Sequence, residues 1–362
     1  MTRNTFLACT LLLSFCTQSC VTPIEFTNPN NEETLAVYGE LTQEAGPTQI
    51  RLTRTTGFKN GIQYILGAKV TLYENNLPKA DYQPIDTGIY KINYFEGTVG
   101  NSYFVRIETG GQIYESTPER MLAPIQPDYI QIKFDKYYYS NEYGVTLSTP
   151  IWNIYGGTQL PEAQEVYLRE GSTYAYSFTE SNNCHFRFGS GTTKTCYFTG
   201  DTDPLHISLL YKPQNTTMTR ADNLLIATRV LDRKEVKEKE YFSASQFRIN
   251  KSSYDYWQKI NLQNNQSGGI FDPYPASVPG NIHNKGNAAE RVLGIFEISG
   301  VGRKYDFITN GDAPEYYKSS SCEEFNGQSG GSFADPCDQN TSPCFNCLLL
   351  KNATDTKPDF WR

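Results

Sequence analysis

Histidine is nearly missing from this sequence: three residues, His185, His206 and His283, in a chain of 362. They lie far apart and none sits in a pattern such as H-E-x-x-H, so nothing local marks a metal centre or a histidine acid/base pair. Long apolar runs are missing too. The most apolar stretch, Phe6 to Phe15, is about ten residues, short of the ~20 that a helix needs to cross a hydrocarbon core of roughly 30 Å. No helical membrane span is therefore expected in the mature chain. Blocks of Lys or Arg are absent as well: 32 basic and 39 acidic residues are evenly mixed, for a formal charge of −7. Such an acidic surface leaves no footprint for nucleic acid. Neither a glycine loop that cradles phosphate nor a dinucleotide fingerprint occurs, and no cofactor or metal is expected.

What the chain has in quantity is tyrosine and phenylalanine, 26 and 20 residues, set in short runs with Thr, Val and Ile between turn residues. That is strand composition. In "LAVYGEL", "TQIRLTRT", "GAKVTLYEN", "GIYKINY" and "NSYFVRIETGGQIYES" apolar residues alternate with polar ones, and Gly, Pro or Asn breaks the pattern every 8 to 15 residues. Period-two alternation at this spacing predicts an all-β fold, opening with an antiparallel sandwich of immunoglobulin or transthyretin-like type over 34–117. The proline-bearing stretch 118–128 reads as a connection. A larger β-rich domain follows over 129–362, with "YIQIKFDKYYYS", "GVTLST", "PIWNIYG", "EVYLREGSTYAYSF" and "LHISLLYK" as strands. Two segments read as short helices, "RINKSSYDYWQKINLQNN", with Ser252 and Ser253 as caps and Trp257 on its buried face, and "NKGNAAERVLGIF".

The N-terminus decides what the cysteines become. "MTRNTFLACTLLLSFCTQSC" has a basic head, a short apolar run and small residues at its end, the form of a secretory signal over 1–19. Cys20, with Ser19 before it, stands where a bacterial lipoprotein carries its lipid, and 20–33 then reads as anchor and linker. Cys16 is the rival position, but bulky Phe15 would lie against the cleaved bond. Lipidation at Cys20 leaves six cysteines, an even number suited to an oxidising compartment. Two disulfides are expected among Cys322, Cys337, Cys344 and Cys347 in preference to a zinc site, because the spacing supplies only one C-x-x-C. Cys184 and Cys196 flank a Gly-Ser-Gly turn and are expected to close a hairpin arm.

Other constellations carry less chemistry. "GQSGG" spells a nucleophile elbow around Ser329, yet no parallel α/β context surrounds it and no histidine follows it. "DTDP" (Asp201, Asp203) lacks the further ligands of a calcium loop. "KYYYSNEY" puts Tyr137, Tyr138, Tyr139 and Tyr143 within seven positions, more aromatic surface than one strand face buries. The run therefore lines an interface between domains or forms an exposed binding patch. Trp152, Trp257 and Trp361 read as core residues, and Trp361 as the group that docks the C-terminal tail.

The order "CVTPIEF", "LAVYGELTQEAGPTQIRLTRT", "GAKVTLYEN", "GIYKI", "YFVRIETGGQIYES", "GGIFDPYPASVPGNIHN", "VLGIFEIS" and a Cys-rich tail closing on "KPDFW" resembles the domain of unknown function 4249 family. These are Bacteroidetes lipoproteins encoded beside TonB-dependent outer-membrane receptors. The resemblance implies an anchor at Cys20, an immunoglobulin-like first domain and a larger β-rich second one. It also implies an outer-membrane location, on the surface or the periplasmic face, and a TonB-dependent receptor as partner. It supplies no catalytic residue. The expected function is ligand capture or delivery as an accessory subunit of such a transporter, not enzymatic. The rivals are a structural or assembly role in the outer membrane, and a glycan- or peptide-acting enzyme using paired carboxylates.

Overall fold

The computed structural model describes residues 33–55, 62–180, 193–202, 207–231, 239–264, 278–309, 312, 345–350 and 352–361. Among these the fold is mostly β. The first half holds β1 (Thr34–Thr42), β2 (Gly46–Thr55), β3 (Ile62–Tyr64), β4 (Lys69–Glu74), β5 (Leu77–Asp86), β6 (Ile89–Phe95), β7 (Ser102–Thr109), β8 (Gln112–Ser116) and the short β9 (Glu119–Arg120). Alternation does here what the sequence indicated. Leu35, Val37 and Leu41 of β1 and Ile50 and Leu52 of β2 point inward against Val70 and Leu72 of β4 and Val105 and Ile107 of β7. Strand β5 pairs with both β4 and β6, so the two layers of this sandwich are one sheet folded over.

The second half holds β10 (Pro127–Ser140), β11 (Thr146–Gln159), β12 (Val166–Thr179), β13 (Thr195–Asp201), β14 (Ser208–Lys212), β15 (Arg220–Val230), β16 (Lys239–Ile249), α1 (Lys251–Asn264), β17 (Ile282–Asn284), β18 (Leu293–Thr309) and β19 (Ala353–Thr354). Strands β12, β16 and β18 form the middle of the large sheet, and β10, β11 and β15 form a separate three-stranded one. Trp152, Ile154 and Ile226 of the smaller sheet pack on Phe242 and Ala244 of the larger. The expected segments "GVTLST" and "PIWNIYG" are one strand. Pro150 stands where the β11–β15 ladder ends: Val230 pairs with Ile151 and the Leu231 N–H donates to the Pro150 carbonyl at 3.0 Å, so the missing N–H falls at the end of the ladder and not in its middle.

One strand runs through both halves. Residues Leu293 to Ser299 of β18 pair in parallel with β1, from Ala36↔Leu293 to Thr42↔Ser299. Ser299 to Thr309 pair antiparallel with β16. At the opposite edge of the sheet β17 adds to β8. Hydrogen-bond ladders therefore cross the connection at 118–128 in the sense that late strands complete the early sandwich. The connection itself lies against β18, and glycines make room for it. A Cβ on Gly300 would stand 2.2 Å from the carbonyl oxygen of Leu122, and one on Gly302 2.4 Å from that of Ile125.

Three expectations need correcting. The segment "NKGNAAERVLGIF" is not a helix. The Asn284 side chain accepts from the backbone N–H of Gly286 and Asn287 at 2.7 and 3.1 Å, a local turn that competes with helix, and from Leu293 the chain is strand. Helix α1 forms as expected, but Ser252 and Ser253 do not cap it. Both hydroxyls donate to the carboxylate of Glu119, which is buried and also accepts from Asn250. The disulfide pairing differs as well. Cys196 is bonded to Cys347, not to Cys184, so two disulfides cannot form within the last four cysteines. The reason is spatial: β19 pairs with β13 at Tyr197 and Phe198, and Glu180 accepts from the Cys347 N–H at 3.0 Å. These contacts bring the tail to Cys196. Cys184, Cys322, Cys337 and Cys344 lie outside the described residues. Trp361 docks as expected, buried edge-on to Tyr197 and Phe307.

The Cys196–Cys347 bond closes a loop with a sequence separation of 151, worth about 5 kcal/mol in the chain-entropy model, the upper end of what such bonds deliver. Cys347→Ser is expected to lower stability in urea by ~2–5 kcal/mol. A non-reducing peptide map should show the Cys196 and Cys347 peptides joined; a joined Cys184–Cys196 peptide would contradict the fold.

Candidate functional site

The β10–β11 hairpin is the first candidate. Its strands are 14 residues each, and near the base Ile130, Ile132 and Phe134 pack on the core. Among the described residues the pairing with β15 ends at Ile151↔Val230, and beyond it the hairpin continues as two strands. The tip is a turn in which Asn141 Oδ1 accepts from the N–H groups of Tyr143 and Val145 at 3.0 and 2.9 Å, with Gly144 at φ 72°. Tyr137, Tyr138, Tyr139 and Tyr143 are between 43% and 81% exposed. Tyr137 and Tyr139, two positions apart on one face, stack at 6.2 Å, and Val145 and Leu147 are exposed beside them. The interdomain-interface expectation is thus corrected: among the described residues the run projects past β15 and its rings are exposed. A rigid, exposed aromatic strip of this kind suits recognition of another surface.

A second cluster was not visible in the sequence. On the outer face of the large sheet, Arg169 of β12 holds the buried carboxylate of Glu297 of β18 with two hydrogen bonds, at 2.7 and 3.2 Å. Trp257 of α1 donates its indole N–H to the same carboxylate at 2.6 Å. Arg169 also stacks over Phe247 and Trp257, at 4.2 and 5.1 Å from their centroids, and reaches Glu40 of β1 at 3.6 Å. Burial alone would lower the Arg169 pKa, but the Glu297 charge and hydrogen bonds outweigh it and hold it above its ordinary value. Glu40 and Glu297 thus share one guanidinium, and paired carboxylates are what a glycosidase would need. Both oxygens of Glu297, however, are already accepting, so its lone pairs serve the fold.

On the inner face, one residue along, the Glu170 carboxylate is buried and has no hydrogen-bond partner among the described residues. Burial pushes its pKa up to about 8, with Arg169 opposing, so it is protonated at neutral pH. Glu119 is shifted upward too, by burial, against hydrogen bonds from Ser252 and Asn281.

The remaining expected residues scatter. Cys20, His185, His206, Asp203 and Ser329 lie outside the described residues. His283 is exposed and shares a 3.3 Å contact with Thr117, and Asp201 ends β13 in solvent. Among the described residues no group of three or more His, Cys, Asp or Glu is placed to hold a metal ion. No described helix is long and apolar enough to cross a membrane.

Two outcomes are expected. Glu297→Ala removes the hydrogen-bonded counter-charge of buried Arg169, leaving only the half-exposed Glu40 at 3.6 Å, and should cost ~3 kcal/mol in urea unfolding. For Glu170 the folded pKa lies above the unfolded one, so its contribution is fully present below about pH 4.3 and is lost as pH rises through about 8. Glu170→Gln should therefore flatten the fall in stability between pH 5 and 8, read by thermal melts across that range; an unchanged slope would exclude Glu170 as its source.

A family described as Domain of unknown function (DUF4249) matches residues 21–305. That span takes in every strand of the first sandwich and ends within β18. Curated proteins and solved structures give no match to the chain. With most of its length covered, the chain belongs to the DUF4249 family.

Proposed function

We propose that this chain is a lipid-anchored outer-membrane binding protein, held at Cys20, that serves as an accessory subunit of a TonB-dependent transporter in ligand capture or delivery. The observation that carries the binding role is the open tyrosine strip on the β10–β11 hairpin. Tyrosine is over-represented among residues that dominate protein interfaces, because a rigid ring supplies contact area at low entropic cost. The hairpin is stiffened by its full ladder from Tyr129↔Gly157 to Ser140↔Thr146, so little order is lost on docking. The resemblance supplies the receptor as partner and the immunoglobulin-like character of the first sandwich. No reaction is part of this reading.

Full-length tagged protein drawn from native outer membranes in mild detergent should bring down a β-barrel receptor in stoichiometric amount. Replacing Tyr137, Tyr139 and Tyr143 by Ser should reduce recovery of that receptor at least ~30-fold, as loss of about 2 kcal/mol of hot-spot energy requires. Recovery of the protein alone from wild-type membranes would overturn the accessory-subunit reading, and full recovery by the variant would remove the hairpin from the interface.

A further inference from the structure

Beside the Arg169 cluster, the outer face of β1, β2 and β6 carries a cleft of ≈340 Å³, at the lower end of the 300–1,000 Å³ range of small-molecule sites. Its lining includes Tyr38, Glu40, Gln49, Arg51, Ile89 and Phe95. These positions arise from strand alternation. Val37, Leu41, Ile50 and Leu52 turn into the core, so Tyr38, Glu40, Gln49 and Arg51 turn outward on adjacent strands, in the register Tyr38↔Arg51.

The groups at this cleft are held by others behind them. The Tyr38 ring meets Trp257 edge to face at 6.4 Å, and Trp257 is itself fixed by its hydrogen bond to Glu297. Tyr38 nevertheless stays 47% exposed. The Glu40 side chain is 47% exposed while reaching Arg169 at 3.6 Å, so it keeps acceptor capacity toward the cleft. Glu44, a further lining residue, is held by Arg303 at 2.8 Å. Among the described residues Arg51 makes no ion pair, and the exposed Gln49 brings an amide to the same rim.

The charges bear on the ligand. In and around the cleft Glu40, Glu44, Glu297 and Asp201, whose charge acts on Glu40, stand among Arg51, Arg169, Arg303 and Lys91, the register partner of Gln49, so no field of one sign is left to select an ion. What remains is a supported aromatic ring flanked by a carboxylate, an amide and a guanidinium. A ring face takes the apolar C–H face of a pyranose, and the three polar groups supply both acceptors and donors for its hydroxyls. We infer that this cleft binds a neutral saccharide. The inference goes beyond hairpin docking and stands on separate residues.

The test is calorimetry on the full-length protein in a detergent without a sugar headgroup, with maltohexaose, xylohexaose, laminarihexaose and N-acetylchitohexaose as probes. At least one should bind, with a change in tryptophan fluorescence as Tyr38 shifts against Trp257. Tyr38→Ala should weaken binding about ten-fold or more, and Tyr38→Phe, which keeps the ring, by no more than ~3-fold. Gln49→Ala and Arg51→Ala, at exposed positions outside the core, should each weaken it also and keep the test readable if Tyr38→Ala does not fold. The hairpin tyrosine variant should bind saccharide as wild type does, which separates this result from loss of the receptor. Failure of all four saccharides to bind, or affinity untouched by the cleft variants, would overturn the inference. Binding of spermidine or inorganic phosphate in their place, abolished by Glu40→Gln or Arg51→Ala respectively, would overturn the neutral-ligand assignment.

Discussion

The parallel ladder between β1 and β18 is the constraint on which the rest of the molecule rests. Strand β18 is 17 residues long and serves two sets of neighbours within one sheet: its first part completes the early sandwich, its last part joins β16, and Ser299 belongs to both ladders. A parallel pair cannot be closed by a short turn; here residues 43–292, about two thirds of the chain, lie between its members. The entropic cost of so long a closure grows only logarithmically with length, so a seven-residue ladder with buried Ile295, Phe296 and Ile298 is enough to hold it. Its geometry is exacting at one point. Gly294 has φ 87°, and a Cβ there would stand 1.8 Å from the carbonyl oxygen of Val37, so the position excludes other residues.

The charged groups follow from that junction. Glu297 sits inside the β1–β18 ladder opposite Glu40, and a buried carboxylate is costly without a counter-charge and hydrogen bonds. Arg169 from β12 and Trp257 from α1 provide both, and in doing so fix the helix to the outer face of the sheet. Glu170 shows the other case: with no hydrogen-bond partner among the described residues, burial pushes its pKa up to about 8 against the pull of Arg169. Arg169 and Glu170, neighbours on β12, face opposite sides of the sheet, so the guanidinium meets Glu297 while the Glu170 carboxyl is left without a hydrogen-bond partner among the described residues.

Much of the early sandwich was legible because its alternation is hydrophobic on one side only. Leu35 and Val37, Ile50 and Leu52, and Val105 and Ile107 announce their face at once. Strand β16 did not announce itself: "KEYFSASQFRI" is buried along almost its whole length, on one face under the smaller sheet and on the other under α1 and the tail, so its Ser, Ala and Gln residues carry no contrast. The cysteine pairing was hidden for a different reason. Chain proximity favoured Cys184 with Cys196, whereas the pairing is set by where the last residues of the chain return to β13. The Arg169–Glu297 contact joins residues 128 apart, and no local pattern records it. The tyrosine run was readable as aromatic surplus, but its exposure depends on β15 ending early, which only the ladder shows.

The double duty of β18 also sets an order of events for a chain made from its N-terminus. Until residues 293–309 exist, β1 and β16 each present an open row of backbone N–H and C=O groups, and β1 offers its apolar inner face as well. Such unpaired edges are templates for association with other chains, and the non-local pairing that removes them is slow by nature. Without β18 the early sandwich cannot close its sheet, and the open edges of β1 and β16 depend on whatever shields them until residues 293–309 arrive.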